Sequence, residues 1–285
     1  MKPCRISNAE VILLLFLFFP VILRSQNNVR DSTFVPRVGQ PGKDVIWVPT
    51  PDALVKKMLE VSETGPTDYL IDLGSGDGRT VIAAAKLGAR ALGIEYNPEM
   101  VQLSGKNAEE AGVSGRATFI QADLFEYDLS GATVITMFLL PEINLKLRPR
   151  LLNLKPGTRI VSNTFNMEKW EPDYEVTADS QWTNWFTALM WIVPAKIEGS
   201  YNLGEGELKI RQEFQVFFGH YKKGSDSTLI KEGRINGDLV TFTLKEEKYS
   251  GKHESNGNLS GTVTSGDQKR NWIAVRHKNT EVHSR

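Results

Sequence analysis

Cysteine is almost missing from this chain. Cys4 is the only one, which excludes a disulfide framework and a cysteine-based zinc site. Histidine is scarce as well: His220, His253, His277 and His283 are the whole set, and they show no metal-ligand spacing. There is no excess of charge of either sign. Lys plus Arg and Asp plus Glu both total 34, which argues against a general polyanion-binding surface, so no nucleic-acid partner is expected. The longest apolar run, "VILLLFLFFPVIL" from Val11 to Leu23, is short of the roughly 20 residues that span a bilayer. What the chain does have is length and apolar content. Its 285 residues, 40% hydrophobic with six tryptophans, can build one large domain or a medium domain plus a small one.

The N-terminal run is preceded by Lys2 and Arg5 and ended by Arg24, Ser25 and Gln26. A basic start, a short apolar stretch and a small residue read as a secretory signal peptide over residues 1–25, which implies an exported, periplasmic or secreted chain. Arg24 stands where cleavage prefers small residues, and the alternative is an uncleaved anchor that associates the chain with a membrane. Cys4 precedes the run and is not placed as a lipoprotein cysteine. Residues 26–44 are polar with scattered Pro and Gly and read as a linker.

From "WVPTPDALVKKMLEV" onward, helices and strands alternate. Thr50 is an N-cap candidate, Pro51 suits the first helical position, and Leu54, Val55, Met58 and Leu59 form the helical stripe. Strands are expected at 69–74, 91–96, 117–123, 133–138 and 158–165, with helices at 80–87, 98–111 and 142–152 between them. Short apolar strands separated by helices imply a parallel sheet, hence an α/β Rossmann-like fold over 45–194. Segments 175–177 and 186–193 are candidates for antiparallel edge strands. After Pro194 the period changes. In "ELKIRQEFQVFFGHY" the residues Leu208, Ile210, Gln212, Phe214, Val216 and Phe218 alternate as in one half-buried strand. Turn signals follow at "INGD", "SNGN" and "TSGD", which predict a small antiparallel β-sheet or barrel over 195–277 and a tail at 278–285.

The segment richest in chemistry is "DLGSGDGR", after the first strand and before a helix. Gly74, Gly76 and Gly78 let the main chain turn tightly and approach a ligand. Dinucleotides and S-adenosylmethionine both use that design. A dinucleotide loop wants G-x-G-x-x-G; here the spacing is G-x-G-x-G, with Arg79 in the sixth position. A nicotinamide-dependent oxidoreductase is thereby disfavoured. Glu95 closes the next strand, where a carboxylate can accept from both ribose hydroxyls; a solvated strand-end charge is the bland alternative. Asp123, in "FIQADLF", can face an adenine amino group with Ala122 and Leu124 beside the ring, or simply cap a helix. Asp72 can receive a ligand ammonium group, and Asp77 reads as a turn residue.

These residues resemble the class I S-adenosylmethionine-dependent methyltransferases. "DLGSGDG", "GIEYNP" and "QADLF" occupy that family's first three motif positions in order. More narrowly, "WVPTPDALVKKML", "IDLGSGDGRTVIAAAKLGARALGIEYNP" and "LLPEINLKLRPRLLNLKPGTRIVSNTF" are similar to the branch that holds the mitochondrial ATP synthase c-subunit lysine methyltransferase and its bacterial relatives. A remoter similarity is to the non-SET histone lysine methyltransferases. The resemblance spans about residues 45 to 194. It implies bound S-adenosylmethionine, contacted by Thr50, Asp72, Gly74, Ser75, Gly76, Gly78, Glu95, Tyr96, Asp123 and Leu124.

It also implies a lysine side-chain amine as acceptor; a small-molecule acceptor and a non-catalytic scaffold that presents the C-terminal β domain are the alternatives. Where amino methyltransferases of the Asn-Pro-Pro-Tyr type carry polar groups, this chain has Leu139, Leu140 and Pro141. That leaves an apolar mouth able to keep an aliphatic amine desolvated and neutral. Transfer from a sulfonium needs alignment more than acid–base help, so no metal is expected. Candidate catalytic groups at the mouth are Glu142, to orient or deprotonate the acceptor, and Asn163, to hydrogen-bond it. Trp47 is a wall candidate, with core packing the commoner role. The stretch "WTNWFTALMW", with Trp182, Trp185 and Trp191, reads as a strand packed on a helix, with an aromatic substrate channel as the alternative. The C-terminal sheet is expected to select or position the substrate.

Overall fold

The computed structural model describes residues 34–178 and 185–277. The apolar N-terminal segment, Trp182 and the tail lie outside the described residues. Among the described residues no helix is long and apolar enough to cross a membrane.

The first module alternates as expected: α1 (Asp52–Val61), β1 (Tyr69–Leu73), α2 (Arg79–Lys86), β2 (Arg90–Glu95), α3 (Pro98–Glu110), β3 (Ala117–Gln121), β4 (Val134–Met137), α4 (Pro141–Leu151), β5 (Arg159–Asn163), β6 (Tyr174–Thr177) and β7 (Thr187–Ile192). The seven strands form one sheet in the order β3-β2-β1-β4-β5-β7-β6. The first five are parallel, and β7 and β6 add antiparallel at one side. The central strands are apolar on both faces because helices cover both. Ile71 and Leu73 of β1 face a cluster with Ile135, Met137, Leu147 and Trp191, whereas Leu70 faces Val81, Ala84 and Ala85 of α2.

The helix start at α1 differs from expectation. Pro51 is the N-cap and Asp52 the first helical residue, so Thr50 does not cap. A proline cap has no side-chain acceptor; Thr50 instead accepts at Oγ1 from Asn163 Nδ2 (3.3 Å) and at its carbonyl from Arg79 Nη1 (3.0 Å).

The second module is a closed eight-stranded antiparallel barrel: β8 (Gly199–Leu203), β9 (Gly206–Glu213), β10 (Val216–Lys223), β11 (Asp226–Asn236), β12 (Leu239–Leu244), β13 (Glu247–His253), β14 (Leu259–Ser265) and β15 (Gln268–Arg276). The turns expected at "INGD", "SNGN" and "TSGD" fall between strands. The single strand expected through 208–218 is a hairpin. Phe214 and Gln215 form its turn, with Phe214 in the left-handed region at φ 54, and Val216 pairs with Glu213. The turn resets the alternation, so Phe217 points into the barrel while Val216 and Phe218 are exposed. The interior is filled by side chains. Phe242 stacks on Tyr249 at 4.6 Å, and Trp272 meets Phe242 edge-on at 5.6 Å.

From Val35 onward both modules belong to one compact unit. Phe214 stacks on Trp170 (6.0 Å, 12°), Arg234 pairs with Asp173 (2.7 Å), and Gln215 Nε2 donates to the Glu171 carbonyl (2.7 Å). The Asn-Gly turn of the barrel lies so close to "KPGTR" that a Cβ on Gly237 would be 3.1 Å from Gly157 Cα.

Candidate active site

The strand order reverses its direction of growth between β1 and β4, which opens a crevice at the carboxyl ends of the strands, the usual place for a ligand in such sheets. "GSGDG" lies there. Gly74, Gly76 and Gly78 have φ of 76, 54 and 83, a region that costs other residues strain. The amides of Gly74 and Ser75 both donate to the Ile94 carbonyl (2.9 and 3.0 Å), so the loop is folded back onto β2. Glu95 ends β2 half-buried. Its Oε2 accepts from the Gly76 amide (3.0 Å) and its Oε1 from the amides of Tyr96 (2.9 Å) and Asn97 (3.0 Å). Three backbone donors thus hold one carboxylate in place, and the same stretch starts α3, where Asn97 caps by accepting from Glu99 N (2.8 Å).

A cavity of about 200 Å³ lies over this loop. Thr50, Asp72, Gly74, Ser75, Gly76, Glu95, Tyr96, Asp123 and Leu124 all line it. Gly78 does not. A Cβ there would be 2.7 Å from Phe119 Cζ and Ser104 Cβ, so this glycine lets α2 pack closely rather than facing a ligand. Gly93 does similar work unnoticed in the sequence: its missing Cβ makes room for Phe119 and for the Ser75 hydroxyl, both 2.5 Å from where it would stand. Ser75 therefore offers the cavity its main chain more than its Oγ.

Asp72 is buried, and Thr136 Oγ1 donates to its Oδ1 (2.6 Å). Burial, opposed by that hydrogen bond and reinforced by the nearby charges of Glu95 and Asp77, pushes its pKa to about 7. Asp77 holds Arg79 (2.6 Å), the residue that replaces the third glycine of a dinucleotide loop; Arg79 in turn ties the loop to Thr50. Asp123 accepts at Oδ1 from Phe125 N (2.8 Å) and pairs at Oδ2 with Lys43 (2.6 Å). The hydrogen bond from Lys43, then that from the Phe125 amide, hold its carboxyl below the usual carboxylate range.

The segment expected to be a linker carries Lys43. Residues 39–47 form a small loop closed by Gly39 N to Trp47 O (2.8 Å) and Trp47 N to Gln40 O (2.9 Å), and it roofs the cavity. Lys43 Nζ lies 4.5 Å from the Tyr96 ring centroid, and Trp47 Nε1 is 2.6 Å from where a Gly76 Cβ would be. Trp47 is thus a wall of the cavity, half-buried rather than in the core. Polar composition hides this role, because the contacts that define it are far apart in sequence.

At the end of the cavity beyond Gly74, the lining is Phe138, Leu139, Leu140, Ile143, Phe165 and Trp185. Neither candidate catalytic residue is among the lining residues. Glu142 is exposed in the first turn of α4, where the helical phase turns Ile143 to the cavity instead. Asn163 is fully buried, its amide donating to Thr50 and its Oδ1 accepting from Thr164 Oγ1 (2.9 Å). Trp191 packs in the core, donating to the Trp170 carbonyl (2.6 Å).

The lining fits S-adenosylmethionine: a glycine turn at positive φ, a carboxylate held by three backbone donors, and Asp123 and Leu124 beyond it are the groups that would hold the ligand.

The sequence profile of the ANTKMT methyltransferase domain matches residues 72–174. A protein-lysine N-methyltransferase from Saccharolobus islandicus (strain REY15A) is 46% identical over 131 residues, covering 45% of this chain and 81% of that protein. The ATP synthase c-subunit lysine N-methyltransferase of Mus musculus is 41% identical over 106 residues, covering 37% of this chain and 43% of that protein. Among solved structures, an RNA methyltransferase from Salinibacter ruber in complex with S-adenosyl-L-homocysteine is 49% identical, covers 53% of this chain and 96% of that one, and superposes with a TM-score of 0.49. With four-fifths of the archaeal relative covered at this identity, the chain belongs to the ANTKMT-type methyltransferases and is an S-adenosylmethionine-dependent enzyme.

Proposed function

We propose that the protein transfers methyl to a lysine side-chain amine of another protein. The observation that carries this reading is the chemistry of the cavity's two ends. One end is polar and ordered around Glu95, which accepts three backbone N–H groups. The other is lined by Phe138, Leu139, Leu140, Ile143, Phe165 and Trp185, which offer no acid or base. S-adenosylmethionine, when bound, supplies a methyl group activated on sulfur, so the chain's task at the acceptor is position and dehydration. Burial at the aliphatic residues Leu139, Leu140 and Ile143 lowers the pKa of an entering amine and so raises the fraction in the neutral, attacking form. The names of the archaeal and mouse relatives support lysine within this chemistry.

In the same reading Glu95 holds the ribose hydroxyls, Asp123, Tyr96 and Leu124 border the adenine, and Asp72, Thr50 and the main chain of Gly74–Gly76 receive the amino-acid end. Export or anchoring rests on residues 1–25 of the sequence alone.

The test is incubation of the purified chain with isotopically labelled S-adenosylmethionine and proteins from the source cell, followed by mass spectrometry. Methyl groups on lysine, lost with Gly76→Arg, are expected. Label found only on nucleic acid, small molecules or other side chains would overturn the lysine assignment.

A further inference from the structure

The cavity's acceptor end is bordered by three aromatic rings from three separate places in the chain. Phe138 follows β4, Phe165 follows β5, and Trp185 precedes β7. Phe138 stacks with Phe165 (centroids 6.0 Å apart, 20°) and meets Trp185 edge-on (5.8 Å, 61°). The antiparallel β5–β7 register, with Asn163 opposite Ala188, brings the last two together. Leu139, the neighbour of Phe138, reaches the glycine turn: its Cδ2 is 3.2 Å from where a Gly74 Cβ would be. The rings therefore flank the path to the methyl donor's position.

We infer that Phe138, Phe165 and Trp185 form a cation-selecting wall that admits alkylammonium groups and discriminates against neutral side chains of the same shape. This rests on the amine-acceptor reading above. The acids that line the cavity are Asp44, Asp72, Asp77, Glu95 and Asp123, which come from the roof loop, the glycine loop and the ends of β2 and β3. Glu142 does not line the aromatic end. An aromatic face attracts a cation through its quadrupole, and it binds a partly alkylated, weakly hydrated ammonium at the least desolvation cost. A hydroxyl or amide gains nothing comparable from the ring faces and loses its water. The wall is thus a specificity-determining surface: it gathers the ammonium form at the mouth, and the aliphatic residues next to it favour loss of the proton to solvent water before the neutral amine takes the methyl group from sulfur.

The experiment uses the full chain with S-adenosyl-L-homocysteine present and measures binding of choline and of its uncharged carbon isostere, 3,3-dimethylbutan-1-ol. Choline is expected to bind at least about fivefold tighter. Trp185→Leu and Phe138→Leu should erase that preference, Trp185→Phe should retain most of it, and affinity for S-adenosyl-L-homocysteine should stay as in the parent. With a lysine peptide, the leucine variants should raise KM about 3- to 30-fold with a smaller effect on kcat. Equal binding of choline and the alcohol, or leucine variants that behave as the phenylalanine variant does, would overturn the wall even if lysine methylation is found. Choline selectivity without any lysine methylation would leave the wall standing and overturn the lysine reading instead.

Discussion

Lys43 Nζ lies 2.6 Å from Asp123 Oδ2, joining the loop before α1 to the segment after β3 at the polar end of the cavity. Both partners are partly exposed, so the pair contributes little to global stability. Its importance is local, because it fastens the loop that carries Trp47.

Lys43→Ala should leave the melting temperature almost unchanged and speed amide exchange at Gly39 and Trp47, whose N–H groups close the loop. Hydrogen-exchange mass spectrometry resolves this. Unchanged protection of that loop would show that Lys43 does not fasten it.

Glu95→Gln keeps the shape but replaces one acceptor oxygen with an amide nitrogen. At least one of the Gly76, Tyr96 and Asn97 amides then loses its partner. A cost of about 1–3 kcal/mol is expected, or a roughly 5- to 150-fold weaker affinity for S-adenosyl-L-homocysteine by calorimetry.

Asp72 imposes a pH dependence on stability. Its folded pKa is about 7 against an ordinary 3.8. Between those values the unfolded chain has released a proton that the folded chain keeps, so stability falls as pH rises through this window and levels off above about 7. The total is on the order of a few kcal/mol. Asp72→Asn should flatten this slope in denaturation curves taken from about pH 5 to pH 8, and the variant should gain most relative to the parent at the alkaline end.

Phe214→Ala removes the ring stacked on buried Trp170 at the seam between sheet and barrel. A loss of about 2–4 kcal/mol is expected by chemical denaturation. If the seam binds the modules cooperatively, both should still unfold in one transition.

The sequence is most legible where function is local. Asp72, the glycine turn and Glu95 are neighbours through consecutive strands, so spacing alone brings them together, and Asp123 follows from one further unit. It is least legible where function depends on register or helical phase. Phe165 and Trp185 both reach Phe138 from elements far apart in sequence, and Ile143 rather than Glu142 faces the cavity because of where α4 begins. The roof loop has the composition of a linker because Lys43 and Trp47 act through partners far along the chain. In the barrel, the turn at Phe214–Gln215 lacks the glycine or asparagine that marks its neighbours, so two strands have the pattern of one.

The barrel's closure limits how it can be approached. All eight of its strands pair with two neighbours, so no whole strand of it is a free edge for an incoming extended peptide. Among the described residues such edges belong to β3 and β6 of the other sheet. A macromolecule that recognises the C-terminal half therefore meets no fully open strand to extend, and has side-chain relief to read, such as the outward Val216, Phe218, Leu229 and Ile273.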